Sequence, residues 1–262
     1  MSTLLIDIGN TRIKWALARG GRIGPMRAAE HGRRGVFEQW LGRARGIDAV
    51  EAASVASPAA RRQLQAALRR NDLPPARFAR STAQAAGVTN SYAEPWRLGV
   101  DRWMAAIGAW HQAGGRRAVC VISVGTALTV DVVDAQGRHR GGLIAPAPEL
   151  MVRALLEQTH GIAVRAKRAA ARGGASRPTP ALSPLASTTQ NAIAQGSLLA
   201  AAALADRCVS EVARSLAARP RIFLTGGAAQ TIAPLLRCRF DLLPDLVLRG
   251  LLALTAQTHA GN

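Results

Sequence analysis

The strongest constraint on the fold of this chain is a layout that occurs twice, 116 positions apart (position 7 against position 123). In the first copy an apolar run, Leu4, Leu5 and Ile6, predicts a buried strand with Asp7 near its end. Gly9-Asn10 is a turn signal, and Ile13, Trp15 and Leu17 then alternate onto one face of a second strand. Lys14 falls on the opposite face from Ile13 and Trp15. The hairpin therefore gathers Asp7, the Gly9, Asn10 and Thr11 backbone, the Thr11 hydroxyl and Lys14 around one small space. Backbone amides in a tight turn favour an anion, and a carboxylate beside them can hold hydrated Mg²⁺. That mixture suits a nucleotide polyphosphate. It also suits an ordinary Asx-type hairpin whose Asp7 merely satisfies turn amides.

The second copy runs from an apolar strand over residues 118–124, through a Gly125-Thr126 turn, into a second strand over 128–133. Ser123 stands where Asp7 stands in the first. The offset is about the size of a domain. It predicts two similar halves, residues 1–117 and 118–262, each opening on a phosphate-type hairpin and together facing one nucleotide. Between the hairpins the pattern predicts helices over 36–41 and 61–70, strands over 49–55 and 77–79, and a helix over 101–111 with Asp101 at its N-terminus. Asp is also a common cap at such a position. After the second hairpin, Gly141-Gly142 reads as a turn, 149–158 as a helix and 167–184 as a mobile basic loop. Ser187, Thr188 and Thr189 suit the capping of a helix over 189–205, and another helix is expected over 208–217. A strand over 221–225 leads into Gly226-Gly227 and a further helix, an arrangement that presents backbone amides to a phosphate. The tail 245–256 reads as a helix with Leu246, Leu248, Leu251 and Leu252 on its apolar side.

Composition narrows the class. The formal charge is +18, but only Lys14 and Lys167 of the 34 basic residues are lysines, so 32 are arginines scattered in ones and twos. With one Tyr and four Phe available for stacking, nucleic-acid binding is expected to be non-specific if it occurs at all. The sequence has no uninterrupted run of 18 apolar residues, and its start lacks a basic leader, so no membrane role is expected. Cys120, Cys208 and Cys238 lie far apart and read as reduced residues of a cytoplasmic protein. Gly-x-x-x-x-Gly-Lys-Ser/Thr, Gly-x-Gly-x-x-Gly, a zinc-type His pair and a Gly-x-Ser-x-Gly elbow do not occur, which removes the P-loop, dinucleotide, zinc-hydrolase and esterase patterns.

Six motifs occur in order: Asp7-x-Gly-Asn-Thr-x-x-Lys14, Gly99-x-Asp-Arg-Trp103, Gly125-Thr-Ala-x-Thr-x-Asp131, Gly141-Gly-x-Ile144, Thr189-x-x-Ala-Ile193 and Thr225-Gly-Gly227. As a set they resemble the type III pantothenate kinases over nearly the whole chain. Singly each is weak, since the first hairpin is shared by actin-like, sugar kinase and acetate kinase ATPases. The resemblance implies an α/β fold of two tandem ribonuclease-H-like (actin-like ATPase) domains with mixed sheets flanked by helices. It also implies a homodimer and phosphorylation of pantothenate in the first step of coenzyme A synthesis. Asp7, Gly9, Asn10, Thr11, Arg12 and Lys14 would bind ATP phosphates, with Asp7 holding Mg²⁺ through water. Gly125 and Thr126 would contact ATP, with Gly226 and Gly227 near the nucleoside. Tyr92, Gly99, Val100, Asp101, Arg102 and Thr189 would bind pantothenate, with Asp101 as the base. A carboxylate that accepts the alcohol proton and positive groups for the transferred charge are what phosphoryl transfer needs. The forked guanidinium of Arg102 suits a substrate carboxylate.

Two departures stand out. Family members usually carry Asp at position 123, where it helps hold a monovalent cation (ammonium or potassium), and Ser123 lacks that charge. The usual Pro-Gly is Pro146-Ala147 here. Two other readings follow from these departures and the charge. One is an actin-like kinase for another small substrate. The other is a catalytically weakened, regulatory family member associated with nucleic acid.

Overall fold

The computed structural model describes residues 1–31, 35–159, 161–162 and 185–260, so the basic stretch over 167–184 lies outside the described residues. The first elements are β1 (Ser2–Ile8), β2 (Arg12–Arg19), β3 (Arg22–Ile23), β4 (Arg27–Glu30), α1 (Gly35–Arg43), β5 (Ala49–Ser54), α2 (Pro58–Arg70) and β6 (Ala76–Phe78). A small hairpin, β7 (Gln84–Ala85) and β8 (Val88–Thr89), precedes α3 (Val100–Gln112). Then come β9 (Val119–Val124), β10 (Ala127–Val133), β11 (His139–Pro146), α4 (Pro148–Gln158) and α5 (Thr189–Ser215). The chain closes with β12 (Arg221–Thr225), α6 (Ala229–Ile232), β13 (Asp241–Leu242) and α7 (Leu246–Ala260).

Contacts divide the chain into two compact units. One comprises Met1–Val121, Asp131–Gly141 and the segment from Asp245 onward; the other comprises Ile122–Val130 and Gly142–Pro244. In the first unit the strand order is β3-β2-β1-β5-β6, with β4 also on β2. β1 pairs antiparallel with β2 and parallel with β5, and every one of its seven residues is buried. A strand covered on both faces favours a continuous apolar run, which is why Leu4, Leu5 and Ile6 stand together at its centre. α1 and α2 cover one face through a cluster that includes Ile6, Trp15, Phe37, Leu41, Leu64 and Leu68. There Trp15 meets Phe37 edge-on at 4.9 Å between ring centroids. α3 and α7 pack on each other and against β5 and β1.

The second sheet has the order β11-β10-β9-β12-β13, and the unit boundary crosses its first three strands. This is the first sheet's order again: two strands reached by hairpins, then two added beyond the first, with β12 and β13 parallel as β5 and β6 are. The repeated layout in the sequence is therefore a repeated topology. In the second unit α4 packs on α5.

Several local expectations are corrected. Gly141-Gly142 lies inside β11 rather than in a turn, because pairing with β10 overrides the local turn preference. The helices expected over 189–205 and 208–217 are the single 27-residue α5, since Asp206-Arg207 contains no helix breaker. By length and composition α5 could cross a membrane, yet Ile193, Ser197, Ala201, Ala205 and Val209 are buried at four-residue spacing, the stripe of a helix packed on one side. Its N-cap is Thr188, whose Oγ1 accepts a hydrogen bond from the Asn191 amide at 3.3 Å. The helix after Gly226-Gly227 is only four residues long.

The aromatic cluster gives a direct check on the first unit. Phe37 is 5% exposed whereas its neighbour Val36 is 52% exposed. Phe37→Ala should cost about 3 kcal/mol or more, and Val36→Ala should stay within about 0.5 kcal/mol. Urea melts of both variants test this, and equal midpoints would contradict the packing described.

Candidate active site

The first hairpin is set by register. Asp7 pairs directly with Lys14, and Ile8 with Ile13, leaving residues 9–11 as the connection. Directly opposed residues share a face, with Cβ atoms about 5 Å apart, so carboxylate and ammonium lie side by side. The Gly9 amide donates to the Arg12 carbonyl at 3.0 Å and closes the turn, which takes that amide from the set expected to meet an anion. The second hairpin repeats the device: Gly125 donates to the Ala127 carbonyl at 2.9 Å. Asn10, Thr11 and Arg12 are exposed around the first turn, as Gly125 and Thr126 are around the second.

His31 holds the first turn from behind. Its Nε2 lies 2.7 Å from the Gly9 carbonyl oxygen, and its amide donates to the Thr11 carbonyl at 3.0 Å. Arg12 reaches Glu30 on β4 at 3.4 Å. Nothing in the sequence pointed to His31, because a backbone partner 22 residues away leaves no local signature.

Asp7 is 8% exposed, and its pKa is pushed up to about 6. Burial is the largest cause; Lys14 pulls the value back, and the charge of Asp101 raises it further. The phosphate-type hairpin and the start of α3 are thus electrostatically coupled within the first unit. Asp101 is raised as well, chiefly by burial and to a lesser degree by Asp131, while the Arg102 amide and the Arg102 charge lower it. Asp101 lies in the first turn of α3, whose N-cap is Gly99, and its Oδ1 accepts from the Arg102 amide at 2.9 Å. A Cβ at position 99 would stand 2.7 Å from that oxygen, so glycine is what leaves the carboxylate its room. Val100 is buried and anchors the helix start.

Arg102 points inward. Its Nε and Nη2 donate to Asp131 at 2.8 and 2.7 Å, and its Nη1 donates to the Tyr92 hydroxyl at 3.0 Å. The fork expected to receive a substrate carboxylate therefore faces a carboxylate of the protein. Tyr92 sits in a loop fixed by buried Asn90, whose Oδ1 accepts from the Tyr92 amide at 3.0 Å and whose Nδ2 donates to the Thr82 and Pro95 carbonyls. Asp131 was visible only as one letter of a motif, a carboxylate in an otherwise apolar strand. Its partner His139 gave no sign.

In the second unit, Gly226 has φ +100°, and a Cβ there would overlap the backbone of Val124. The Ala228 amide donates to the Val124 carbonyl at 2.9 Å. The Thr225-Gly226-Gly227 turn is thus clamped to the end of β9, beside Gly125 and Thr126. That close approach, rather than free amides at a helix start, is what the glycine serves. Ser123 is half-buried on β9, and Thr189 opens α5 in the same unit.

Solved structures share this architecture at low identity. Component A of the Acidaminococcus fermentans (R)-2-hydroxyglutaryl-CoA dehydratase matches with a TM-score of 0.52 at 15% identity, covering all of both chains. A Streptomyces griseus ROK family glucokinase in complex with glucose and AMPPNP matches with a TM-score of 0.50 at 14% identity, covering 98% of this chain and 100% of that one. With the repeated sheets, they define the class by its fold, an α/β protein of two tandem ribonuclease-H-like units. More particularly, the chain belongs to the type III pantothenate kinase family, whose sequence profile matches residues 3–211. The type III pantothenate kinase of Nitrosococcus oceani is 36% identical over 264 residues, covering 97% of this chain and 94% of that protein. That of Methylibium petroleiphilum is 37% identical over 267 residues, covering 98% and 99%.

The Asp7 carboxylate yields a pH prediction. A carboxyl raised in the folded state favours the protonated fold, so its contribution to stability is full below the unfolded value of 3.8 and is lost as pH rises through about 6. Asp7→Asn removes that loss. Without Mg²⁺ or nucleotide it should be more stable than the wild type at pH 8, by up to about 3 kcal/mol, and the difference should shrink toward zero near pH 4. Thermal melts across this range check it, and a pH-independent difference would contradict the electrostatic account.

Proposed function

We propose that this chain transfers the γ-phosphoryl group of ATP to the primary alcohol of pantothenate, the first step of coenzyme A synthesis, with Asp101 as the base. The observation that carries the assignment is a buried and a half-buried carboxylate, Asp7 and Asp101, each held above its ordinary pKa chiefly by burial, with the charge of Asp101 raising Asp7 further. A base with a raised pKa is a better proton acceptor, and accepting the alcohol proton is worth roughly 10²–10⁴-fold in rate. The rest of the acceleration comes from positioning and from charge placed where it develops.

In this reading Lys14 and the exposed groups of Asn10, Thr11 and Arg12 meet the β- and γ-phosphates, and Gly9 shapes the turn that carries them. Thr126 meets the nucleotide from the second hairpin, with Gly125 shaping that turn, and Gly226 and Gly227 border the nucleoside. Tyr92, Gly99, Val100, Arg102 and Thr189 form the pantothenate side. Asp7 fits a hydrated Mg²⁺: it is a hard oxygen donor whose buried charge a cation would relieve. Among the described residues no cluster of three or more His, Cys, Asp or Glu side chains forms a protein cage, which suits an ion held mainly by water and phosphates. Such an ion would supply charge neutralisation to the phosphates. Ser123 offers an oxygen without a charge, so a monovalent cation there would be held more weakly than by a carboxylate. Exposed Ile144, Leu155 and Leu185 give the second unit apolar surface for a homodimer. Cys120, Cys208 and Cys238 form no disulfide, which accords with the cytoplasm.

Asp101→Asn should lower kcat by at least about 10²-fold while ATP affinity stays within about threefold. Lys14→Ala should instead weaken ATP binding and slow transfer together. Steady-state kinetics with nucleotide titrations separate the two, and near-wild-type turnover of Asp101→Asn would remove it as the base.

A further inference from the structure

Behind the proposed pantothenate side lies a buried polar chain that the reaction itself does not use. Arg102, Asp131 and His139 have side chains only 7%, 3% and 0% exposed. The guanidinium binds both oxygens of Asp131, and His139 Nε2 lies 3.0 Å from Asp131 Oδ1. His139 Nδ1 lies 3.2 Å from Ser91 Oγ, at the edge of the Tyr92 loop. With Nε2 as donor to Asp131 and Nδ1 as acceptor from the Ser91 hydroxyl, both ring nitrogens are satisfied. The ring also packs near Tyr92, 6.1 Å between centroids, and edge-on to Trp103 at 6.4 Å.

We propose that His139 and Asp131 are positioning residues that act through Arg102 and Tyr92 to set the shape of the pantothenate side of the site. This rests on the kinase reading above. A buried guanidinium without a counter-ion is costly, and a neighbouring carboxylate is drawn to it. Asp101 is that neighbour, one residue away on the same helix. If Arg102 turned to Asp101, it would hold the base's pKa down and consume the proton acceptor. Asp131 prevents this by taking two of the five N–H donors, one on Nε and one on Nη2, in a fixed bidentate plane. A third donor, on Nη1, goes to the Tyr92 oxygen, so Tyr92 accepts there and keeps its own O–H to give. One N–H on each Nη remains for a ligand. His139 fixes Asp131 Oδ1, and Ser91 fixes His139. Orientation thus passes from the loop through β11 and β10 to the helix, by one hydrogen bond at each of the first two links and by two at the last.

The consequence is asymmetric. Loosening the chain should spoil pantothenate binding while leaving nucleotide binding alone, because these bonds join only Ser91, Tyr92, Arg102, Asp131 and His139 and involve neither the β1–β2 hairpin nor the Gly125-Thr126 turn. His139→Leu removes the donor to Asp131; His139→Gln restores an amide N–H that can reach the same oxygen. For His139→Leu we expect KM for pantothenate to rise about tenfold, KM for ATP to stay within about twofold, and His139→Gln to recover most of the loss, a scale set by one hydrogen bond to a charged group. A residue that serves folding alone would lower the active fraction and leave both KM values unchanged. Should His139→Leu fail to fold, Ser91→Ala, at the outer end of the chain, should still raise KM for pantothenate two- to threefold with KM for ATP unchanged. An active wild type whose variants keep the wild-type KM for pantothenate, or raise both KM values alike, would overturn this inference and leave the kinase reading standing. A wild type that does not phosphorylate pantothenate would overturn both.

Discussion

Successive side chains of a strand face opposite ways, so slipping β1 against β2 by one residue would carry Asp7 into the apolar layer and swing Lys14 away from it. The register that avoids this is fixed from both sides. Ile6 and Ile8 must stay in the cluster with Trp15 and Phe37, and the Gly9 turn closes only when its amide meets the Arg12 carbonyl. His31 then ties the turn to the end of β4. The apolar face, the turn and the side-chain clamp all demand one pairing. The polar face follows from it.

What that pairing produces is costly by itself. Asp7 is nearly buried and feels Asp101, and both carboxyls are pushed toward their neutral forms. A fold selected for stability alone would replace one of them. Two such carboxyls suit the proposed site, in which a cation would meet Asp7 and Asp101 would accept a proton. The same economy explains the inward turn of Arg102. A guanidinium beside the proposed base would otherwise compete for its proton-accepting oxygens, and Asp131 neutralises it from β10.

The repeat was legible because it is written twice in the same order of strand, polar residue, glycine and strand, and the two sheets reproduce it strand for strand. The positions of Asp7, at the end of an apolar run, of Lys14, across from it in the alternation of the second strand, and of Asp101, at the start of a helix, were legible from period and turn signals. What the sequence hid are the bonds between distant segments. His31 with Gly9, and His139 with Asp131 and Ser91, join residues whose separations carry no periodicity. Arg102 shows the limit most plainly: a free fork in the sequence becomes, once folded, half of a buried pair. Local propensity also failed where pairing or continuity outweighed it, at Gly141-Gly142 inside β11 and at Asp206-Arg207 inside α5.

Whether these residues together phosphorylate pantothenate is read from the wild-type reaction itself. Purified protein with ATP and Mg²⁺ would be followed for ADP formation with and without pantothenate, in potassium, ammonium or neither at constant ionic strength, with the product identified by mass. ADP formation should depend on pantothenate and be matched by an equal amount of a singly phosphorylated product. ADP formation indifferent to pantothenate, or none under any of the cation conditions, would contradict the kinase reading.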